Sequence, residues 1–183
     1  MRNLEVDGMP VGATSPPLVR HAVSPDVPAI TSVHVRAWQV AYRGHMPDSF
    51  LDALDSAQRT AWWAEVVVDP RVAVLVATDA GVVGGFCSLL VSRDGDASAG
   101  TGEIATLYVD PDRWRSGFGS ALLTAAVDVA RERGFGALSL WVLATNSAAR
   151  AFYEAHGFSA DGREKTDSRL GVSLHEVRYQ RNV

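Results

Sequence analysis

The chain carries one cysteine, Cys87, so no internal disulfide can form and a reducing compartment is expected. Set in an apolar run, Cys87 reads as a small core residue rather than a nucleophile. No apolar stretch approaches the roughly 20 residues a membrane span requires. The N-terminus also lacks the apolar centre of a signal peptide, and a cytoplasmic protein without membrane contact is the expectation. Charge of one sign is scarce as well: 17 basic against 21 acidic residues leave a net charge of -4. That balance argues against broad nucleic-acid binding and leaves room only for a local basic patch. No Gly-x-x-x-x-Gly-Lys-Ser/Thr occurs, which excludes the Walker loop. Gly117-Phe118-Gly119 runs on to Leu122, where a dinucleotide fingerprint needs a third small residue. No internal repeat and no second domain is visible, and no metal site is assigned.

What remains is a chain of 183 residues and 47% apolar content, long enough for one sizeable core. Residues 1–17 are rich in Gly, Pro, Ser and Thr and are expected to be a flexible tail. Residues 18–183 then form a single domain. Its organising stretch runs from Glu103 to Gly119. Ile104, Leu107 and Val109 mark a buried strand, and Asp110-Pro111 ends it. Phe118, Leu122, Ala125 and Val129 then recur at helical spacing, and Gly134 suits a helix C′ position. The helix therefore opens inside a loop of Arg115, Ser116, Gly117 and Gly119. First-turn N–H groups without partners, two glycines, the helix dipole and Arg113 or Arg115 make a site for phosphate oxygens. An ordinary strand-to-helix turn accounts for the loop equally.

Upstream, Leu18 to Val23 reads as a first strand. Ser24 and Pro25 read as N-cap and first position of a helix reaching Arg43-Gly44. Trp38, Tyr42 and His45 lie at the end of that helix and in the next loop, where they either line an acceptor pocket or pack helices on a sheet. Trp62 and Trp63, on a helix over Ser56 to Val67, read as packing residues. Val72–Thr78 and Val82–Ser92 form a hairpin about Asp79-Ala80-Gly81, with Gly84-Gly85 marking a bulge or a close backbone approach. Arg93 to Gly102 reads as a polar loop of low order. Ala137 to Leu143 is a further strand, parallel to the first through a right-handed crossover. Asn146-Ser147 opens a last helix, Ala148 to His156, closed by Gly157. Phe158 onward and Val172 to Gln180 supply the final strands.

The segment Asn146-Ser147-Ala148-Ala149-Arg150-Ala151-Phe152-Tyr153-Glu154-Ala155-His156-Gly157-Phe158, one strand after the Gly-x-Gly helix, resembles the GCN5-related N-acetyltransferase (GNAT) superfamily. That family's phosphate loop has the pattern Gln/Arg-x-x-Gly-x-Gly/Ala, here Trp114-Arg115-Ser116-Gly117-Phe118-Gly119. Both glycines match; Trp114 departs from the first position.

The resemblance implies an α/β (α+β in some schemes) GNAT fold. A mixed, mostly antiparallel central sheet would carry helices on both faces and one splayed parallel strand pair. It also implies acetyl-coenzyme A as co-substrate, with the diphosphate on the amides of Arg115, Ser116, Gly117, Phe118, Gly119 and Ser120. Pantetheine would run along Leu107, Tyr108 and Val109 as an added strand, with Asn146 close by. Attack of an amine on a thioester requires loss of an amine proton, a donor for the carbonyl oxygen and a proton for the thiolate. By resemblance, Tyr153 is the candidate acid, the Leu107 N–H polarises the carbonyl and Glu103 is the candidate base. Strand alternation puts Glu103 on the face of Leu107 unless a bulge shifts the phase. The bland readings are a packed helix tyrosine and a strand-end carboxylate; His175 and Glu176 are weaker candidates for the base. The expected acceptor is a primary amine of a small molecule or peptide, in a pocket shaped by Trp38, Tyr42 and His45. Transfer of a longer acyl group, or acyl-coenzyme A binding without turnover, are the alternatives. A homodimer is left open.

Overall fold

The computed structural model describes residues 16–168 and 173–183. Seven strands form one sheet in the order β1-β2-β3-β4-β5-β7-β6: β1 (Leu18–His21), β2 (Ala73–Asp79), β3 (Val82–Val91), β4 (Thr101–Val109), β5 (Ala137–Leu143), β6 (Ser159–Asp167) and β7 (Leu174–Asn182). Every neighbouring pair is antiparallel except β4 and β5. Helices cover both faces: α4 (Phe118–Glu132) and α5 (Ser147–Ala155) on one, α1 (Val27–Ala41), α2 (Asp48–Asp52) and α3 (Ser56–Val68) on the other. The mixed sheet, its single parallel pair and its helical layers match the expected architecture.

The first face is apolar throughout. Leu122, Leu123, Ala126 and Ala130 recur along α4 at helical spacing, are fully buried, and pack on Leu75, Leu89, Ile104, Leu138 and Leu140. Burying a leucine of this kind contributes about 1.5–3 kcal/mol. The second face is divided. Val27, Ile30, Val33 and Trp63 pack on Val74, Val76 and Phe86 over β2 and β3. Over β5 and β7 the segment between β3 and β4 lies across the sheet and is held by charge. Arg178 donates to Asp94, Asp96 and Asp161 at 2.7–3.1 Å, and Trp141 Nε1 donates to Asp94 at 3.1 Å. The loop expected to be of low order is therefore anchored, by a guanidinium that is almost wholly buried.

Other boundaries also moved. Strand β1 ends at His21, and Ser24 to Asp26 form a 3-10 turn before α1 begins at Val27. Asp26 rather than Ser24 organises the start: its carboxylate accepts from the Val23 amide at 2.8 Å and from Arg20. The short helix α2 had no recognisable signal. The tail expected over residues 1–17 lies outside the described residues, apart from Pro16 and Pro17, which border a hollow beside Gly117.

Candidate active site

Parallel pairing of β4 with β5 covers only Thr101–Glu103 against Ala137–Ser139, although β4 continues to Val109 and β5 to Leu143. Beyond Glu103 the two strands part. The cause is local to β4. Ser88 faces Thr106 while Leu89 faces Ile104, so Ala105 is an extra residue without a partner on β3. A bulge of this kind bends the strand and reverses its alternation. Ile104 and Leu107 consequently share the apolar face, and Glu103 points to the opposite one. Strand alternation alone would put Glu103 on the face of Leu107; the bulge shifts the phase, and the two lie on opposite faces.

The bulge also decides where the amides point. Asp110 donates to Gly84 at 2.9 Å. In an antiparallel ladder the alternate residues Thr106 and Tyr108 therefore face β3, while Leu107 and Val109 turn their N–H groups into the gap. Of the expected segment 107–109, Tyr108 is committed to β3 and sends its ring to the α1 side. The Val109 carbonyl accepts from Trp114 Nε1 at 2.9 Å, so the residue that departs from the family pattern seals one end of the gap's edge.

Next to the gap, Arg115 and Gly117 adopt left-handed backbone at φ 63° and 87°. Gly117 is the residue before α4; among the described residues no backbone carbonyl pairs with an amide from Arg115 to Ser120, and the first helical bond runs from the Ala121 N–H to the Gly117 carbonyl. The two glycines differ in purpose. Gly117 provides the left-handed turn. A Cβ at Gly119 would lie 3.3 Å from Phe152, so Gly119 lets α5 close on α4. That contact is reinforced by His156, whose Nδ1–H donates to the Phe152 carbonyl at 2.7 Å, leaving Nε2 to accept from Ser120 Oγ at 3.0 Å.

Tyr153 projects from α5 onto the apolar face, near Cys87. Burial, with Cys87 and Tyr108 nearby, pushes its hydroxyl far above the usual tyrosine range, so it is fully protonated near neutrality. Cys87 is itself buried and pushed up to about 12 by desolvation, which leaves a neutral thiol and a core role. Asn146 caps α5: its Oδ1 accepts from the Ala149 amide at 3.0 Å, and only its NH₂ remains to face a ligand.

Glu103 is buried, with Arg93 bound to it through Nε at 3.0 Å and the main-chain N–H at 3.1 Å. Burial works to raise its carboxyl; the Arg93 hydrogen bonds overcome this and hold it below the usual range. That is a poor setting for a base. Glu176, which sequence reasoning ranked lower, lies on β7 opposite Leu143, with Lys165 at 3.4 Å. Its charge acts on the hydroxyls of Tyr42 and Tyr108.

Three aromatic residues gather on this second side of the gap. Trp38 and Tyr42 have ring centroids 5.0 Å apart, and Trp38 and Tyr108 6.4 Å. His45 stands at the rim, 3.1 Å from Thr145 Oγ1, and ties the loop after α1 to the end of β5. Trp63 is fully buried, as expected of a packing residue, whereas Trp62 is half exposed. His175 pairs with Glu164 at the surface. Sequence reasoning missed Arg59, which carries no motif and meets His34 only because α1 packs against α3.

The acetyltransferase (GNAT) family profile matches residues 28–158. An uncharacterised N-acetyltransferase of Bacillus subtilis, YuaI, is 30% identical over 160 residues, 87% of this chain and 89% of that protein. Among solved structures, the PaiA N-acetyltransferase of Thermoplasma acidophilum in complex with coenzyme A superposes with a TM-score of 0.75 at 18% identity, over 92% of this chain and 100% of that one. The ribosomal-protein-alanine N-acetyltransferase of Brucella melitensis superposes with a TM-score of 0.71 at 27% identity, over 91% and 99% of the two chains. A bulge-opened parallel pair, an unpaired helix N-terminus beside it and a tyrosine at their junction thus coincide with a match across most of the sequence: the chain belongs to the GNAT acetyltransferase family.

Proposed function

We propose that this enzyme transfers the acetyl group of acetyl-coenzyme A to a primary amine of a small molecule or peptide, by direct attack of the amine on the thioester. The observation that carries the reading is the unpaired stretch of β4 beyond Glu103, edged by the Leu107 and Val109 amides, together with the unpaired amides from Arg115 to Ser120 that follow it in the chain. An extended amide-containing arm ending in a diphosphate fits that row of donors. Coenzyme A in the Thermoplasma structure is consistent with such a ligand.

Acetyl-coenzyme A supplies the activated acyl group, and the protein supplies position and protons. The Leu107 N–H points into the gap as a donor for a carbonyl oxygen on which charge develops. Tyr153, kept protonated, donates to the departing sulfur. The amine enters from the side of Trp38, Tyr42 and Tyr108. Glu176, rather than the Arg93-bound Glu103, receives its proton, directly or through water. Membrane insertion has no place in this reading, since among the described residues no helix is long and apolar enough to cross a bilayer.

The test is thermal stabilisation by coenzyme A followed by thiol release over a panel of amines. Stabilisation together with acceptor-dependent thiol release is expected. No stabilisation by coenzyme A would remove the reading, and stabilisation without turnover would reduce the protein to an acyl-coenzyme A-binding module. Glu176→Gln is expected to lower kcat more than Glu103→Gln in those variants that retain coenzyme A binding; the reverse order would restore Glu103 as base.

A further inference from the structure

His34 lies on α1, is 4% exposed, and stacks on Tyr108 with ring centroids 5.1 Å apart. Its Nδ1 lies 3.0 Å from Trp63 Nε1. An indole nitrogen only donates, so Nδ1 accepts. Burial and the nearby Arg59 lower the His34 pKa to about 3, and the neutral ring therefore carries its hydrogen on Nε2. Facing that Nε2–H at 3.3 Å is Arg59 Nη1, which also only donates. Two donors are turned on one another with no acceptor between them.

The neighbourhood deepens the imbalance. The Arg59 guanidinium lies 4.8 Å over the Trp38 ring, and no carboxylate partners it among the described residues. It is half-buried. Trp38 Nε1 is fully buried, makes no hydrogen bond of normal geometry, and is turned toward the Tyr108 hydroxyl. Three donors from two helices thus converge beside Tyr108, on the acceptor side of the gap, with one uncompensated positive charge among them. A buried donor left without an acceptor keeps its desolvation cost. An anionic oxygen brought by a ligand would remove that cost.

From this convergence we infer that Arg59 and His34, with Trp38 beside them, form a carboxylate-binding corner of the acceptor groove. The acceptor is then an amino acid or another amine that carries a carboxylate. The inference rests on the acetyltransferase reading for its amine, and on the donor set for its anion. A monoanion suits the corner: Arg59 supplies one charge and a two-donor fork, and neutral His34 adds a hydrogen bond. A phosphate dianion would call for further cations than the corner holds.

Two measurements test it. In the first, the ring and guanidinium N–H resonances of His34 and Arg59 are followed by NMR in the coenzyme A-bound protein. Acetate, benzoate and N-acetylglycine are titrated against acetamide, benzamide and N-acetylglycinamide. Saturable shifts with the carboxylates alone, weakened at least tenfold in Arg59→Gln and less in Arg59→Lys, are expected. Equal response to the amides, or none to either series, would mean that the corner holds only water and would overturn the proposal. In the second, thiol release is compared for amino acids and their amides. A preference of at least tenfold in kcat/KM for the acids is expected, and Arg59→Gln should diminish it. Turnover of amides as fast as acids overturns the carboxylate corner and leaves the transferase standing. Carboxylate-specific shifts with no turnover of any amine would keep the corner and place the failure on the transferase reading.

Discussion

The two faces of the gap are built by different means. On the side of α4 and α5 the site is made of main chain: amides set free by a left-handed Gly117, a bulge at Ala105 and a helix that starts where its donors are needed. On the side of α1 and α3 it is made of side chains drawn from distant parts of the chain: Trp38, Tyr42, Arg59, Tyr108 and Glu176. In the proposed function the backbone side would grip what all acyl-coenzyme A molecules share, and the side-chain side would select what differs between acceptors. The same division runs through stability. The first face is held by aliphatic packing around Leu122 and Leu140; the second rests on polar ties such as Arg178 to its three aspartates and Trp63 to His34.

The contrast can be broken hardest at Arg178. Arg178→Ala removes the cation shared by Asp94, Asp96 and Asp161, two of which are well covered, and leaves Asp94 only the Trp141 N–H and Asp96 only Arg163. Removing one partner of a buried ion pair costs about 3–5 kcal/mol, and urea denaturation is expected to show a loss near the lower figure, since Asp96 is partly exposed. On the first face, Tyr153→Phe leaves the packing of α5 in place and deletes the proposed proton donor. It is expected to lower kcat by about 10²–10⁴ while isothermal titration shows coenzyme A affinity within a few-fold of the parent.

The third expectation concerns acid. His34 stays neutral in the fold to about pH 3 but takes a proton near pH 6.5 once unfolded. The unfolded state therefore binds more protons between those values, and stability falls as pH drops through that window. The loss at pH 5 amounts to about 2 kcal/mol, and urea melts of His34→Gln should lack that share of the decline. The smallest effect falls on the backbone side: Gly117→Ala forces a side chain into φ 87°. About 1–2 kcal/mol of strain is expected, read as a lower Tm together with weaker coenzyme A binding.

How far each region could be read in advance follows the same line. Backbone features have local causes, so Gly117, the Gly134 and Gly157 stops, the Asn146 cap and the strand Ala137–Leu143 were all legible from neighbouring residues. The Gly84 bulge was too, since Gly84 is skipped between Val83 and Gly85 in the pairing with β2. The β4 bulge was implied by family resemblance, but its position at Ala105 carries no local mark, and that one residue decides which face Glu103 takes. The segment from Arg93 to Gly102 looked unstructured because its order comes from Arg178, some eighty residues later. Nor could His34 be separated from the exposed His45 by composition. Its burial depends on Trp63 and Tyr108 arriving from two other elements, and its 3.3 Å encounter with Arg59 arises from helix packing alone.

The central claim is that a row of unpaired main-chain amides takes up coenzyme A in the gap between β4 and β5. Amide NMR during titration with coenzyme A tests it most directly. The account predicts large, saturable shifts at Leu107, Val109 and Arg115 to Ser120, and small ones along β2 and α3. Shifts confined to other residues, or the absence of any at Leu107 and Gly117 under saturation, would contradict it.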